Sequence, residues 1–125
     1  MLDTARITLV QLTSDGNPDS TLARMPQYFE QAAAFGSDLI VFPEYCLGSR
    51  ISIGDGRVQS FLGLAKQHRM YAVAGLVELH GSRWATTALM VDRQGHLMGR
   101  YLKTHPASGP APHYWPPLPG YDGDN

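Results

Sequence analysis

A single cysteine, Cys46, stands among 125 residues. An internal disulfide is therefore excluded, and with it the stapled frameworks of small secreted domains. The first residues, MLDTARIT, lack a basic segment followed by an apolar core, so they do not read as a secretory signal. No apolar run approaches membrane-spanning length. The formal net charge is −1 with a pI near 6.5, and no basic field argues for nucleic acid or an anionic membrane as partner. Five histidines (68, 80, 96, 105 and 113) show no HExxH spacing and no cysteine pair accompanies them, so no metal site is expected. The terminal YDGDN falls short of a calcium loop, and no glycine-rich phosphate loop is present, so no cofactor is expected. These absences together suit a cytoplasmic protein.

What is present is a chain long enough to bury one core. Residues 6–12 read as a buried strand. TSDGNPD at 13–19 is dense in turn formers and leads to a helix capped by Asp19 or Ser20 and running to about Phe35. Leu22, Met25 and Phe29 recur at helical spacing, and Gly36 is the stop signal. Pro26 implies either a kink or a separate first turn. A short strand at 38–43, a loop at 48–56, a helix at 57–69 and strands at 71–78, 84–91 and 96–102 complete a β-α-β-α-β pattern followed by hairpins, an α/β arrangement. The tail is different in kind. Six of the nine prolines fall between 106 and 119, which excludes helix and central strand. Its aromatics, Tyr114, Trp115 and Tyr121, suit a loop that packs over something.

Two charged residues stand at strand ends. Glu44 follows the apolar run LIVFP at 39–43, where Pro43 removes a donor and turns the next side chain off the carboxyl edge of the sheet. Lys103 lies in YLKTHP at 101–106. By position alone each is an ordinary surface residue. As a pair, a carboxylate and an ammonium suit acyl transfer: one moves a proton while the other steadies the charge of a tetrahedral intermediate. Such a pair serves a nucleophile. Cys46 lies two residues after Glu44, in EYCLG, where the reading as a small buried apolar residue outweighs that of a reactive thiol.

RITLVQL (6–12), AAAFGSDLIVFPEY (32–45), YAVAGLVE (71–78) and YLKTHP (101–106) occur in an order and at spacings that resemble the N-terminal half of the carbon–nitrogen hydrolase (nitrilase) superfamily. The resemblance implies half of an α-β-β-α sandwich, with residues 1–105 as the N-terminal half of the hydrolase domain and 106–125 as a Pro/Gly-rich loop leading to a missing C-terminal half. It also implies a Glu-Lys-Cys mechanism on amide or carbamoyl bonds, less readily on nitriles. Glu44 matches the general base and Lys103 the oxyanion-stabilising lysine. The family nucleophile sits on a later strand-to-turn elbow for which this chain offers no residue, so the chain is expected to be inactive alone, either truncated or completed by a second polypeptide. His105 matches the lysine loop. Asp122 or Asp124 lies where members carry a further acidic residue, although aspartate is not the usual type. Leu102 and Ala85 depart from the arginine and asparagine common at their positions.

Because 39–42 and 72–77 are apolar on both faces, both faces of the sheet require cover. If both helices lie on one face, as the resemblance implies, the other calls for a C-terminal half or self-association. Two other functions fit the same residues. One is a non-catalytic remnant acting as an interaction module through the exposed sheet. The other, on fold-level analogy, is half of a metal-dependent phosphodiesterase, against which Pro43 and the lysine element speak.

Overall fold

The structure, a computed structural model, describes residues 3–13 and 17–103. In chain order these form β1 (Ile7–Leu9), α1 (Pro18–Ala34), β2 (Leu39–Val41), β3 (Ser49–Ile51), α2 (Gly56–His68), β4 (Tyr71–His80), β5 (Arg83–Val91) and β6 (Leu97–Leu102). The cap of α1 is Asn17, not Asp19 or Ser20: its side chain accepts from the Asp19 N–H at 3.0 Å. Pro18 then occupies the first helical position, where a missing N–H leaves nothing unpaired. The helix runs unbroken through Pro26. It stops where Gly36 takes φ +70° and Ser37 donates back to the Ala32 carbonyl at 3.0 Å. Asp55 caps α2 by accepting from the Arg57 N–H at 2.9 Å. Arg57 also reaches Asp19 at the start of α1, 2.7 Å away. That hydrogen bond holds the Asp19 carboxyl below the usual carboxylate range.

The strands form one sheet in the order β1-β2-β4-β5-β6, parallel across the first three and antiparallel across the rest. β3, absent from the sequence reading, pairs with the far end of β4. One edge of β4 therefore carries two partners in succession: β2 opposite residues 71–73, then β3 opposite 77–78. Between them the chain swings out of the sheet.

Alternation along the strands divides the sheet into two faces. Ile40, Ala72, Ala74, Leu76, Leu89 and Val91 lie in the core cluster together with Met25 and Phe29 of α1 and Val58 and Phe61 of α2. Phe29, Phe42 and Phe61 meet there with ring centroids 5.6–6.3 Å apart, in the edge-to-face and tilted geometries that aromatic quadrupoles favour. Both helices thus pack on one face. On the other, the described residues leave Leu9 76%, Tyr101 58%, Ile7 53% and Met90 47% exposed.

The helix side also buries a charge. Glu78 of β4 is 1% exposed, and its carboxylate is paired with the Arg100 guanidinium of β6 and accepts from the Thr87 hydroxyl of β5 at 3.2 Å. Ala85, directly across from Glu78, is small enough to leave room. Three strands are fastened by one carboxylate. Arg100→Met strips the buried carboxylate of its counter-charge and is expected to cost about 3–5 kcal/mol in urea unfolding. Glu78→Gln, which leaves a partly exposed cation instead, should cost less. A loss below about 1 kcal/mol for Arg100→Met would mean that the pair behaves as a surface contact.

Candidate active site

The excursion between β2 and β3 creates the site. Phe42 still donates to the Val73 carbonyl at 2.8 Å, continuing the β2–β4 ladder. Pro43 has no N–H to continue it. The ladder resumes at Leu47, which donates to the Gly75 carbonyl at 3.0 Å, and Val77 then donates to Gly48 at 2.9 Å. Glu44 stands in the unpaired interval. Tyr45, next to it, has φ +61°, a left-handed conformation uncommon for a non-glycine residue. Its hydroxyl lies 3.5 Å from the Thr86 hydroxyl of β5.

Lys103 arrives from the opposite side. It follows β6, and its backbone N–H donates to the Thr86 carbonyl at 2.8 Å, so the strand pairing is extended to the lysine itself. Its ammonium then donates to Glu44 Oε1 at 3.2 Å. The two candidate residues, 59 positions apart in sequence, are brought together. Their side chains are 55% and 32% exposed for Glu44 and Lys103. Such a pair adds little to stability, so its geometry is set by the strands that carry it.

Beneath the pair is a small cleft of about 150 Å³. Val73, Gly75, Ala88 and Tyr101 contribute to its apolar wall, and Glu44 and Lys103 are its two charged members. This is the face of the sheet without helices. Neither Ala85 nor Leu102 lines the cleft. Thr86, Tyr45 and Gly75 do belong to the site's frame, and sequence reasoning had not picked them out. Gly75 was hidden inside a continuous apolar run, and no local pattern marks Thr86. The expectations for His105, Asp122, Asp124 and the loop 106–125 fall outside the described residues.

Cys46 is close in sequence but differently placed. It is 6% exposed, and its thiol donates to the Gly75 carbonyl at 3.6 Å. Burial pushes the thiol up from its ordinary value of 9.0 to about 11. At neutral pH it is a protonated core side chain. Among the described residues no group of three or more His, Cys, Asp or Glu side chains is arranged to hold a metal ion. Glu44 is partnered by a cation rather than by a second carboxylate.

A carboxylate following β2 and an ammonium following β6 thus meet across the sheet, over an apolar cleft. The carbon–nitrogen hydrolase family model matches residues 6–123, and the chain belongs to that family. A bifunctional nitrilase/nitrile hydratase of Nicotiana tabacum is 26% identical over 134 residues, covering 84% of this chain and 38% of its own. Nitrilase 2 of Arabidopsis thaliana is 29% identical over 132 residues, covering 82% and 39%. The chain thus spans about two fifths of the length of these curated relatives. A mutant of the Nesterenkonia AN1 amidase from the nitrilase superfamily superposes with a TM-score of 0.75 at 21% identity, over 84% of this chain and 45% of that one. The fold is therefore half of a nitrilase-like sandwich. No helix among the described residues is long and apolar enough to cross a membrane.

The environment of Cys46 generates a prediction. On thiolate population alone, a rise from 9.0 to about 11 slows alkylation at neutral pH by about 100-fold, and burial slows it further. Iodoacetamide labelling followed by mass spectrometry should be slow in the native chain and fast in denaturant. Rapid native labelling would mean an accessible, reactive thiol.

Proposed function

We propose that this chain supplies the proton-transfer and oxyanion-stabilising half of a carbon–nitrogen hydrolase acting on amide or carbamoyl bonds. The observation that carries the proposal is the 3.2 Å contact between Lys103 Nζ and Glu44 Oε1 over an apolar cleft. In this reading Glu44 takes the proton of a cysteine thiol. The thiolate attacks the carbonyl carbon, and Lys103 faces the oxygen as it becomes negative. Collapse of the tetrahedral intermediate breaks the C–N bond, and Glu44 returns the proton to the leaving amine. A thioester remains. Water deprotonated by Glu44 then attacks it, releasing acid and free thiol.

The thiol in this scheme is not Cys46, which is buried and protonated. The cysteine comes from polypeptide outside these residues, and the chain alone is inactive. The same polypeptide, a C-terminal half, covers the exposed face bearing Ile7, Leu9, Met90 and Tyr101; self-association of the chain is the other way to cover it. The form of the lysine element, K-T-H-P at 103–106, resembles that of amidases and carbamoylases more than that of nitrilases, and so supports amides and carbamoyl compounds. A nitrile substrate is the second reading, favoured by the nitrilase names of the sequence relatives. It uses the same three groups.

The test is reconstitution. Mixed with the C-terminal half of a family member, the chain should gain hydrolase activity. Glu44→Gln removes proton transfer at constant size, and Lys103→Met removes the charge while keeping most of the stem. Each should lower turnover by on the order of 10²–10³. Both variants should still bind the partner half, because neither side chain is part of the buried core. Near-normal turnover by either variant removes the role assigned to that residue. Comparing amide, carbamoyl and nitrile substrates in the same assay separates the two substrate readings.

A further inference from the structure

Gly75 lies in β4 at the point where the segment carrying Glu44 passes over the sheet. A side-chain carbon built on Gly75 would lie 2.7 Å from Glu44 Cα, 3.0 Å from the Tyr45 nitrogen and 3.1 Å from the Pro43 carbonyl oxygen. The first distance is shorter than real Cβ contacts in folded proteins show. All three neighbours are backbone atoms, so no rotamer change relieves the clash. Gly99 in β6 and Gly63 in α2, by contrast, have nothing within 4 Å of such a carbon.

The other side of Gly75 is equally engaged. Its carbonyl accepts from Leu47 N–H at 3.0 Å, the first ladder bond after the excursion, and from the Cys46 thiol at 3.6 Å. The segment from Pro43 to Leu47 is therefore pressed onto Gly75 at its start and hydrogen-bonded to it at its end. The left-handed Tyr45 lies between, its hydroxyl beside that of Thr86, whose carbonyl holds the Lys103 backbone. One frame thus fixes both charged residues.

We infer that Gly75 is a positioning residue for the Glu44–Lys103 pair: its missing side chain lets the Glu44 backbone rest directly on β4, which sets the carboxylate within hydrogen-bond reach of the ammonium. The inference rests on the proposed reading of that pair as the catalytic base and oxyanion group. Gly75 itself touches no substrate in this scheme. Any Cβ at this position lifts the Pro43–Tyr45 backbone off the sheet. The shift moves Glu44 away from a lysine whose own position is set by β5 and β6, and so separates the pair without removing either member.

The chain has two lysines, Lys66 and Lys103, and three glutamates, Glu30, Glu44 and Glu78, and among described residues the lysine–glutamate ion pair is Lys103–Glu44. Labelling glutamate Cδ with ¹³C and lysine Nζ with ¹⁵N therefore isolates this contact. Magic-angle-spinning dipolar recoupling reads it in whatever assembly the chain forms. The unmodified chain should show clear dephasing, and Gly75→Ala should lose most of it. Gly99→Ala should keep it, as should Val91→Ala, a core truncation that lowers stability on the helix side of the sheet. Retained coupling in a folded Gly75→Ala variant overturns the inference. No coupling in the unmodified chain overturns the catalytic pair itself, a separate result. If Gly75→Ala does not fold, strong Cα-to-Cα transfer between Gly75 and Glu44 in the unmodified chain supports the inference, and its absence overturns it.

Discussion

The sheet is apolar on both faces but carries helices on one, and the rest of the structure follows from that asymmetry. On the covered side, α1 and α2 close over Ile40, Ala72, Ala74, Leu76, Leu89 and Val91, where burial of aliphatic and aromatic surface supplies the main stabilising term. On the open side, Ile7, Leu9, Met90 and Tyr101 remain in contact with solvent. The cleft with Glu44 and Lys103 is on this open side. A site in that position becomes enclosed only when a second layer is laid over the sheet. In the proposed reading Glu44 and Lys103 are two of the groups an acyl transfer needs, and a second polypeptide provides the enclosure; the chain spans 38% of one nitrilase relative.

Two ion pairs on opposite faces show how differently charge is used. Glu78 and Arg100 meet where Glu78 is almost wholly buried, so losing one partner strands a charge in a poor solvent. Glu44 and Lys103 meet in partial exposure, where screening leaves little net stabilisation. The first pair fastens β4, β5 and β6. The second depends on that fastening, since Lys103 follows β6 and takes its place from the Thr86 carbonyl. Partial exposure also leaves Glu44 and Lys103 less tightly held in one arrangement than a buried pair.

Much of this was legible in the sequence. The apolar runs at 39–43 and 71–78 and the helical spacing of Met25 and Phe29 located the main elements, because hydrophobic period follows the geometry of strand and helix. Asn17 was missed as a cap because Asp19 and Ser20 are equally good cap residues and lie closer to the apolar stripe; the proline between them decides the matter by requiring a first-turn position. β3 was missed for a different reason. It is three residues long, and Arg50 at its centre has φ +58°, so its pairing with β4 reflects tertiary register rather than local propensity. Glu44 and Lys103 were identified by resemblance, since spacing alone does not bring residues 59 apart together. The frame around them stayed hidden: Gly75 reads as one more small residue in a buried strand until the path of a non-adjacent segment is known.

The central claim is that this chain contributes the base and the oxyanion group but not the nucleophile. The most direct measurement is the location of the covalent intermediate. The chain is incubated, alone and with a cysteine-bearing C-terminal half, with an amide whose acyl-enzyme breaks down slowly, and the intact mass of each polypeptide is recorded. The account predicts an acyl adduct on the partner half, greatly reduced by Lys103→Met, and none on the 125-residue chain. Acylation of Cys46, whether or not the second polypeptide is present, would contradict it.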